Sequence, residues 1–260
     1  VGIYLIYFLV IVLSNTIGAI SGMGGGVIIK PVLDGIGYHS LAAISFYSSV
    51  AVLTMSVSST FKQVKNGVKI VWPSAIAASI GAVIGGGIGQ RLFDYLLTVL
   101  QGEKQVQLIQ ISLLIGTLFL VLLYTFFSKK TLNLKGEFIY LLVGIVLGSL
   151  STLLGIGGGP INVSLLVFCF GLTMKDATVY SIITIFFSQI AKLGLMSMTT
   201  GFNSFDIKML YVIVPAALLG GYLGGYFSGK VSDKRVSNIF VTVVVLVIGI
   251  NLYNAWHLLV

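Results

Sequence analysis

The sequence predicts an all-α polytopic membrane protein of two homologous helical repeats in inverted orientation, with glycine-broken helices near the membrane midplane. Three observations predict it. Of the residues, 57% are hydrophobic and 8% are charged, with a mean hydropathy of +1.08. A soluble domain carries roughly 25% charged residues, so most of this surface is expected to face hydrocarbon. Uncharged stretches cover residues 71–90, 106–128, 138–174 and 236–255, and each can supply the about 20 residues that cross a bilayer. Finally, GMGGG at 22–26 returns as GIGGG at 155–159, an offset of 133 residues.

The elements follow from the apolar runs and their punctuation. A first helix runs to about Ser21 and breaks at the glycines, because glycine costs about 1 kcal/mol against alanine in a helix and three together free the backbone to unwind. A shorter piece continues to about Gly35. Helices are then expected near 40–61, 71–92 and 106–128. The polar, basic stretch 129–137 is the linker between repeat 1 (1–128) and repeat 2 (138–260), which together make one membrane domain. The second half repeats the order, with 138–154, a break, 160–171, and helices near 173–198, 208–228 and 236–257. Pro160 suits the first position of a helix, where its missing N–H is no loss.

Sliding the chain on itself by the same offset tests the duplication. Gly22, Gly24, Gly25 and Gly26 fall on Gly155, Gly157, Gly158 and Gly159; Ile28 meets Ile161, Leu33 meets Leu166, Ser45 meets Thr178, Tyr47 meets Tyr180 and Ser48 meets Ser181. Further on the register slips, and Gly81, Gly85 and Gly89 then meet Gly221, Gly225 and Gly229. These later rows, spaced by four, read as stripes for close helix packing.

The basic residues weigh two paths for the broken segments. If each crosses once, the 15 lysines and arginines divide almost evenly between the two sides. If each turns back, Lys62, Lys65, Lys69, Lys129, Lys130, Lys135, Lys175, Lys230, Lys234 and Arg235 share one side, leaving Lys30, Arg91, Lys104, Lys192 and Lys208 on the other. The second division is the more natural cytoplasmic bias. An odd number of crossings per half also inverts the repeats, bringing the two glycine motifs to the midplane from opposite sides.

A helix starting at a break leaves its first N–H groups without intrahelical partners, at the positive end of a dipole worth about half a charge. In a bilayer such donors need a partner, and an anion is the natural one, with glycine allowing close approach. Gly24, Gly25, Gly26, Gly157, Gly158 and Gly159 are therefore candidate substrate-binding residues. The competing reading is that they only permit helix packing. Ser45, Ser48 and Ser49, which share a helical face, and Thr178, Ser181 and Thr184 in the second half are candidate hydroxyl donors. Bonds to carbonyls of their own helices are the competing reading for each. Asn15, Asn162, Gln189 and Lys192 form a second rank; Lys192 either snorkels to the interface or points at the substrate path. All seven acids fall near predicted segment ends, so no carboxylate is expected within the membrane.

GMGGGVIIKPVL followed by LAAISFYSSVAV, repeated as GIGGGPINVSLL followed by KDATVYSIITIF, resembles the signature of the sulfite exporter TauE/SafE family of anion permeases over essentially the whole chain. Lys30 and Asp34 depart from the family pattern, which is apolar there. The resemblance implies a multi-pass protein of a bacterial or archaeal plasma membrane that moves small anions, among them sulfite and organosulfonates such as sulfoacetate, most naturally by export through alternating access.

Other classes lose ground. The net charge of +8 lies in short loops rather than along one face, so no nucleic-acid partner is expected. Cys169 is alone, which excludes an internal disulfide and reads as a small buried hydrophobe. His39 and His257 have no metal-ligand spacing, no cofactor is expected, and no catalytic nucleophile with a base is visible, so an enzyme is not expected. GMGGGVIIK lacks the GxxxxGK[ST] spacing of a phosphate-binding loop. No cleavable signal peptide is expected, although the chain opens at Val1 without an initiator methionine. The partners are then a small inorganic or organosulfur anion and the lipid bilayer. A passive anion channel, an uptake permease for another small anion or sulfur compound, and a homo-oligomer stay open.

Overall fold

Both glycine motifs interrupt a helix and reverse the chain. In the computed structural model, which describes residues 2–66, 70–127, 130–199 and 201–260 (Asn203 by its backbone alone), α1 (Gly2–Ser21) stops at the first motif and α2 (Gly26–Ile36) starts from it. Gly22 turns the chain with φ at +75°, a region that side-chain-bearing residues avoid. The Tyr7 hydroxyl lies 2.6 Å from Nδ1 of His39, just past the end of α2, so α2 returns alongside α1 toward its start. The second motif does the same between α6 (Glu137–Leu153) and α7 (Pro160–Phe170), where Phe170 stacks on Tyr140 with ring centroids 3.6 Å apart.

Long helices fill the rest: α3 (Leu41–Lys65), α4 (Trp72–Leu100), α5 (Glu103–Phe127), α8 (Met174–Met198), α9 (Leu210–Lys230) and α10 (Asp233–Leu259), with 3-10 turns at Phe202–Ser204 and Ile207–Met209. Side-chain caps start α3 and α8: the Ser40 hydroxyl accepts from Ala43 N and the Thr173 hydroxyl from Asp176 N. These two caps also stand 133 residues apart. Among the described residues, seven helices are long and apolar enough to cross a membrane. The 11-residue α2 and α7 reach about 16 Å, roughly half of a 30 Å hydrocarbon core. Leu5, Leu9 and Leu13 on α1, Leu120 on α5 and Leu246 on α10 point outward, as lipid-facing side chains should.

The sequence places α4 too short. It runs on to Leu100 because Asp94 takes a hydrogen bond from Gln90 Nε2 at 2.7 Å, one turn back, so the polar residues there decorate the helix instead of ending it. Asp94 is thus not at a segment end, whereas Asp34 lies in the last turn of α2 with its side chain enclosed.

Packing is crosswise. α1 lies on α9 and α6 on α4; α3 lies on α9 and α8 on α4; α2 meets α10 and α7 meets α5; α3 and α8 meet each other. Glycines let these helices approach. A Cβ on Gly81 would run into the Leu141 carbonyl and one on Gly85 into the Ile145 carbonyl, both on α6, while one on Gly221 would lie 2.6 Å from the Met55 carbonyl on α3. The stripes spaced by four are packing surfaces.

Two sets of contacts define the ends of the bundle. At one end, Glu103 accepts from Leu41 N, the Tyr47 hydroxyl donates to the Asp206 carbonyl and Asn254 Nδ2 to the Pro31 carbonyl, beside the Tyr7–His39 contact. At the other, Asn66 Nδ2 donates to the Gly225 carbonyl, Val71 N to the Tyr180 hydroxyl, Leu132 N to the Phe168 carbonyl and Lys175 N to Asp233. Lys62, Lys65, Lys130, Lys135, Lys175, Lys230, Lys234 and Arg235 lie on helix ends and loops of this second end. Lys69, Lys129 and the expected helix end at Ser128 lie outside the described residues. Lys30 and Lys192 are not loop residues of the first end: both are buried inside helices.

Candidate functional site

The two glycine breaks meet in the interior. A Cβ on Gly24 would lie 3.5 Å from the Gly157 carbonyl, and one on Gly158 would lie 3.1 Å from the Met23 carbonyl. Val52 of α3 and Ile185 of α8 close on this crossing, Val52 lying 3.0 Å from the Cβ position of Gly157 and the Ile185 Cδ1 3.3 Å from that of Gly24. Val52 and Ile185 stand near the middle of their 25-residue helices, so the crossing lies at mid-height of the bundle.

Each break docks against the other half of the chain. The Cβ position of Gly22 lies 2.5 Å from the Thr178 Cα, and that of Gly155 lies 2.9 Å from the Ser45 Oγ. Gly155 has φ at +68°, so both backbone conformation and space there require glycine. α2 and α7 follow the N-caps Gly25 and Gly159, neither of which has a capping side chain, which leaves the positive ends of two buried helices facing the crossing. Gly25 packs on Asn15, Gly26 against the Ile156 carbonyl, and a Cβ on Gly159 would lie 2.9 Å from the Ile156 Cδ1.

The hydroxyls divide into spent and free. Ser49, Thr178 and Thr184 donate to carbonyls of their own helices, those of Ser45, Met174 and Ser181. Ser181 donates across the molecule to the Gly22 carbonyl at 2.6 Å. Ser48 is fully buried, its Oγ has no partner, and that oxygen lies 2.9 Å from the Cβ position of Gly26. Asn15, Asn162 and Gln189 are buried, and each keeps a side-chain oxygen without a partner.

Two lysines converge on the same place. Lys192 is 0% exposed, so it does not snorkel. Its Nζ donates to the Ser45 Oγ at 2.7 Å and approaches the Ser45 carbonyl at 3.4 Å. Among the described residues its ammonium has no carboxylate within ion-pair distance; Asp94, whose field reaches it, is engaged by Gln90. Lys30 runs past the second break, with its Cε 2.9 Å from the Cβ position of Gly155, and pairs with Asp34 at 2.6 Å, both side chains 4% exposed.

Asp34 lines two spaces. A cavity of about 280 Å³ enters from the first end of the bundle, lined by Asp34, His39, Glu103, Gln107, Tyr253 and His257. Beyond it a space of about 10 Å³, lined by Lys30, Asp34, Gln110, Leu154, Ile156 and Asn251, leads toward the second break. His39 titrates below its ordinary value because burial disfavours its charged form.

Sequence reasoning named Lys192 and the hydroxyls but missed Asp34 as an interior group. The signal was present: Lys30 and Asp34 are four apart in a predicted helix, the spacing of an ion pair. It also missed Tyr7 and Tyr140, which share the repeat offset and lie near Tyr47 and Tyr180, with ring centroids 6.4 and 6.1 Å apart.

No curated protein and no solved structure matches the chain. The family model described as sulfite exporter TauE/SafE matches residues 7–252, from within α1 to within α10. The chain therefore belongs to the sulfite exporter TauE/SafE family and is a multi-pass membrane transporter, not an enzyme.

Proposed function

We propose that this protein is a carrier that exports a small anion, sulfite or an organosulfonate such as sulfoacetate, across the plasma membrane of a bacterium or archaeon, by alternating access at the crossing of its two glycine breaks. The observation that carries this reading is Lys192. An ammonium buried in a membrane protein without a carboxylate partner is costly, and here it holds Ser45, which lies beside Gly155 of the second break and one helical turn from the unpartnered Ser48. A monovalent or divalent oxyanion supplies the missing charge, and Ser45, Ser48 and the glycine backbone supply its hydrogen bonds.

Alternating access is supported by a near-symmetry with one asymmetry. The hairpins enter from opposite ends, the first helix of each half packs on the fourth of the other, and Thr178 faces Gly22 as Ser45 faces Gly155. Two inverted repeats account for all three. Yet Ser181 holds the Gly22 carbonyl while its counterpart Ser48 holds nothing. Exchanging those roles, with Ser48 bonded to Gly155 and Ser181 released, describes a second state that faces the other side. The basic end is then cytoplasmic by the positive-inside rule, and the cavity beside Asp34 opens outward.

Counterflow in proteoliposomes tests the carrier. Liposomes holding unlabelled sulfite or sulfoacetate should take up the labelled anion against no net gradient, because a carrier exchanges one for the other. Conductive flux without such exchange would make the protein a channel.

A further inference from the structure

The outer cavity is badly suited to attract an anion. Asp34 and Glu103 line it, with His39, Tyr253 and His257, and it ends on the Lys30–Asp34 pair. Asp34 is nearly enclosed, one oxygen held by Lys30 and the other, Oδ1, without a partner. Across the pair, Lys30 lies against Gly155, whose Cβ position also lies 2.9 Å from Ser45 Oγ, the atom that Lys192 holds. The Lys30 ammonium therefore holds a carboxylate while its Cδ–Cε stem runs beside Gly155 at the proposed anion site.

We infer that Asp34 is a tethered anion that competes with the substrate for Lys30, and that the substrate binds together with a proton on Asp34 and leaves with it. This rests on the carrier reading above. When an oxyanion settles between Lys192 and Lys30, Asp34 loses its ammonium. A nearly buried carboxylate without a counter-charge is costly, and taking a proton from the water of the outer cavity removes the charge. No covalent bond other than this O–H forms. In reverse, Asp34 gives the proton back to the cavity, its carboxylate reclaims Lys30, and the anion is displaced outward past Glu103, whose charge discourages return. The proton is taken from and returned to the outer cavity, so a dianion crosses with both of its charges, and an inside-negative potential drives it out.

The titratable groups facing Asp34 are Lys30 on its own helix, His39 on the following turn, Glu103 on α5, and Tyr253 and His257 on α10, with Tyr7 of α1 behind His39. The experiment must separate Asp34 from these. Sulfoacetate is the probe because both its acid groups stay ionised near neutral pH. Calorimetry of the purified protein in two buffers of different ionisation enthalpy counts the protons taken up on binding. The wild type should take up about one proton per sulfoacetate, and its affinity should fall up to tenfold per pH unit as pH rises. Asp34→Asn should take up none and bind about tenfold more tightly, since the competitor is gone. Wild-type binding without proton uptake overturns the inference, and this holds even if Asp34→Asn fails to fold. Uptake that survives Asp34→Asn belongs to Glu103, His39 or His257 and also overturns it. Failure of the wild type to bind sulfoacetate or sulfite would instead sink the carrier reading.

Discussion

The Lys192 ammonium donates to the Ser45 hydroxyl at 2.7 Å, joining the last two turns of α8 to the first turns of α3 beside the second glycine break. It is a cation held by a neutral group. Ser45, through its hydroxyl and its carbonyl, takes two of the three ammonium donors and none of the charge. In lipid-enclosed protein a charged ammonium so placed is costly until something negative completes it, and this incompleteness sets the first prediction apart from a structural role.

Ser48 and Ser181 occupy equivalent places but should answer differently to alanine. Ser48→Ala removes a free donor at the crossing; a hydrogen bond to a charged oxygen is worth about 1.5–3 kcal/mol, so sulfite or sulfoacetate affinity should fall roughly 10- to 150-fold with little change in melting temperature. Ser181→Ala orphans the Gly22 carbonyl and should cost about 1–3 kcal/mol of stability. Titration and thermal melts of the two purified variants check this. Equal loss of affinity without loss of stability in both would contradict the assignment of the free hydroxyl.

The glycines separate by what surrounds them. A Cβ on Gly85 would press on the Ile145 backbone, whereas one on Gly116 would meet nothing within 4 Å. Gly85→Ala should therefore lower the yield of monodisperse protein, and Gly116→Ala should be neutral or stabilising by up to about 1 kcal/mol. Size-exclusion profiles and melts in detergent measure both.

Orientation follows from the hairpins. In a Cys169→Ser background, single cysteines replacing Lys65 and Lys130 should react with an impermeant maleimide from the same side, and one replacing Lys104 from the opposite side. Labelling of positions 65 and 130 from opposite sides would contradict the inverted arrangement.

His39 gives a pH signature. Burial lowers its pKa in the folded protein below the unfolded value, so folding favours the neutral ring. That contribution is present above the unfolded pKa and is lost as pH falls through the window below it. Melting temperature should drop on acidification through that window, and the drop should be smaller in His39→Gln.

Much of this fold was legible because its signals are local. The glycine breaks at 22–26 and 155–159, the Pro160 start and the packing stripes at Gly81, Gly85 and Gly89 each follow from residue type and spacing. Ranges failed where polar residues decorate a helix without ending it, as Arg91 and Asp94 do in α4. The site was legible only as a set of candidates. Which hydroxyl is free depends on a partner 159 residues away, as Ser181 and Gly22 show. That Lys192 is enclosed instead of reaching the interface depends on α3 lying against it. Such long-range partners leave no periodic trace in sequence.

The most direct test of the central claim is a thermal melt of the wild type and Lys192→Gln, each with and without sulfite. Ligand at about 100 times its dissociation constant stabilises by roughly 2.7 kcal/mol, several degrees for a chain of this size. The wild type should rise by that amount. Lys192→Gln, relieved of an unpaired buried ammonium, should melt higher than the wild type without ligand and should not respond to sulfite. A variant that melts lower and still gains the full shift would contradict the assignment of Lys192 as the charge that holds the anion.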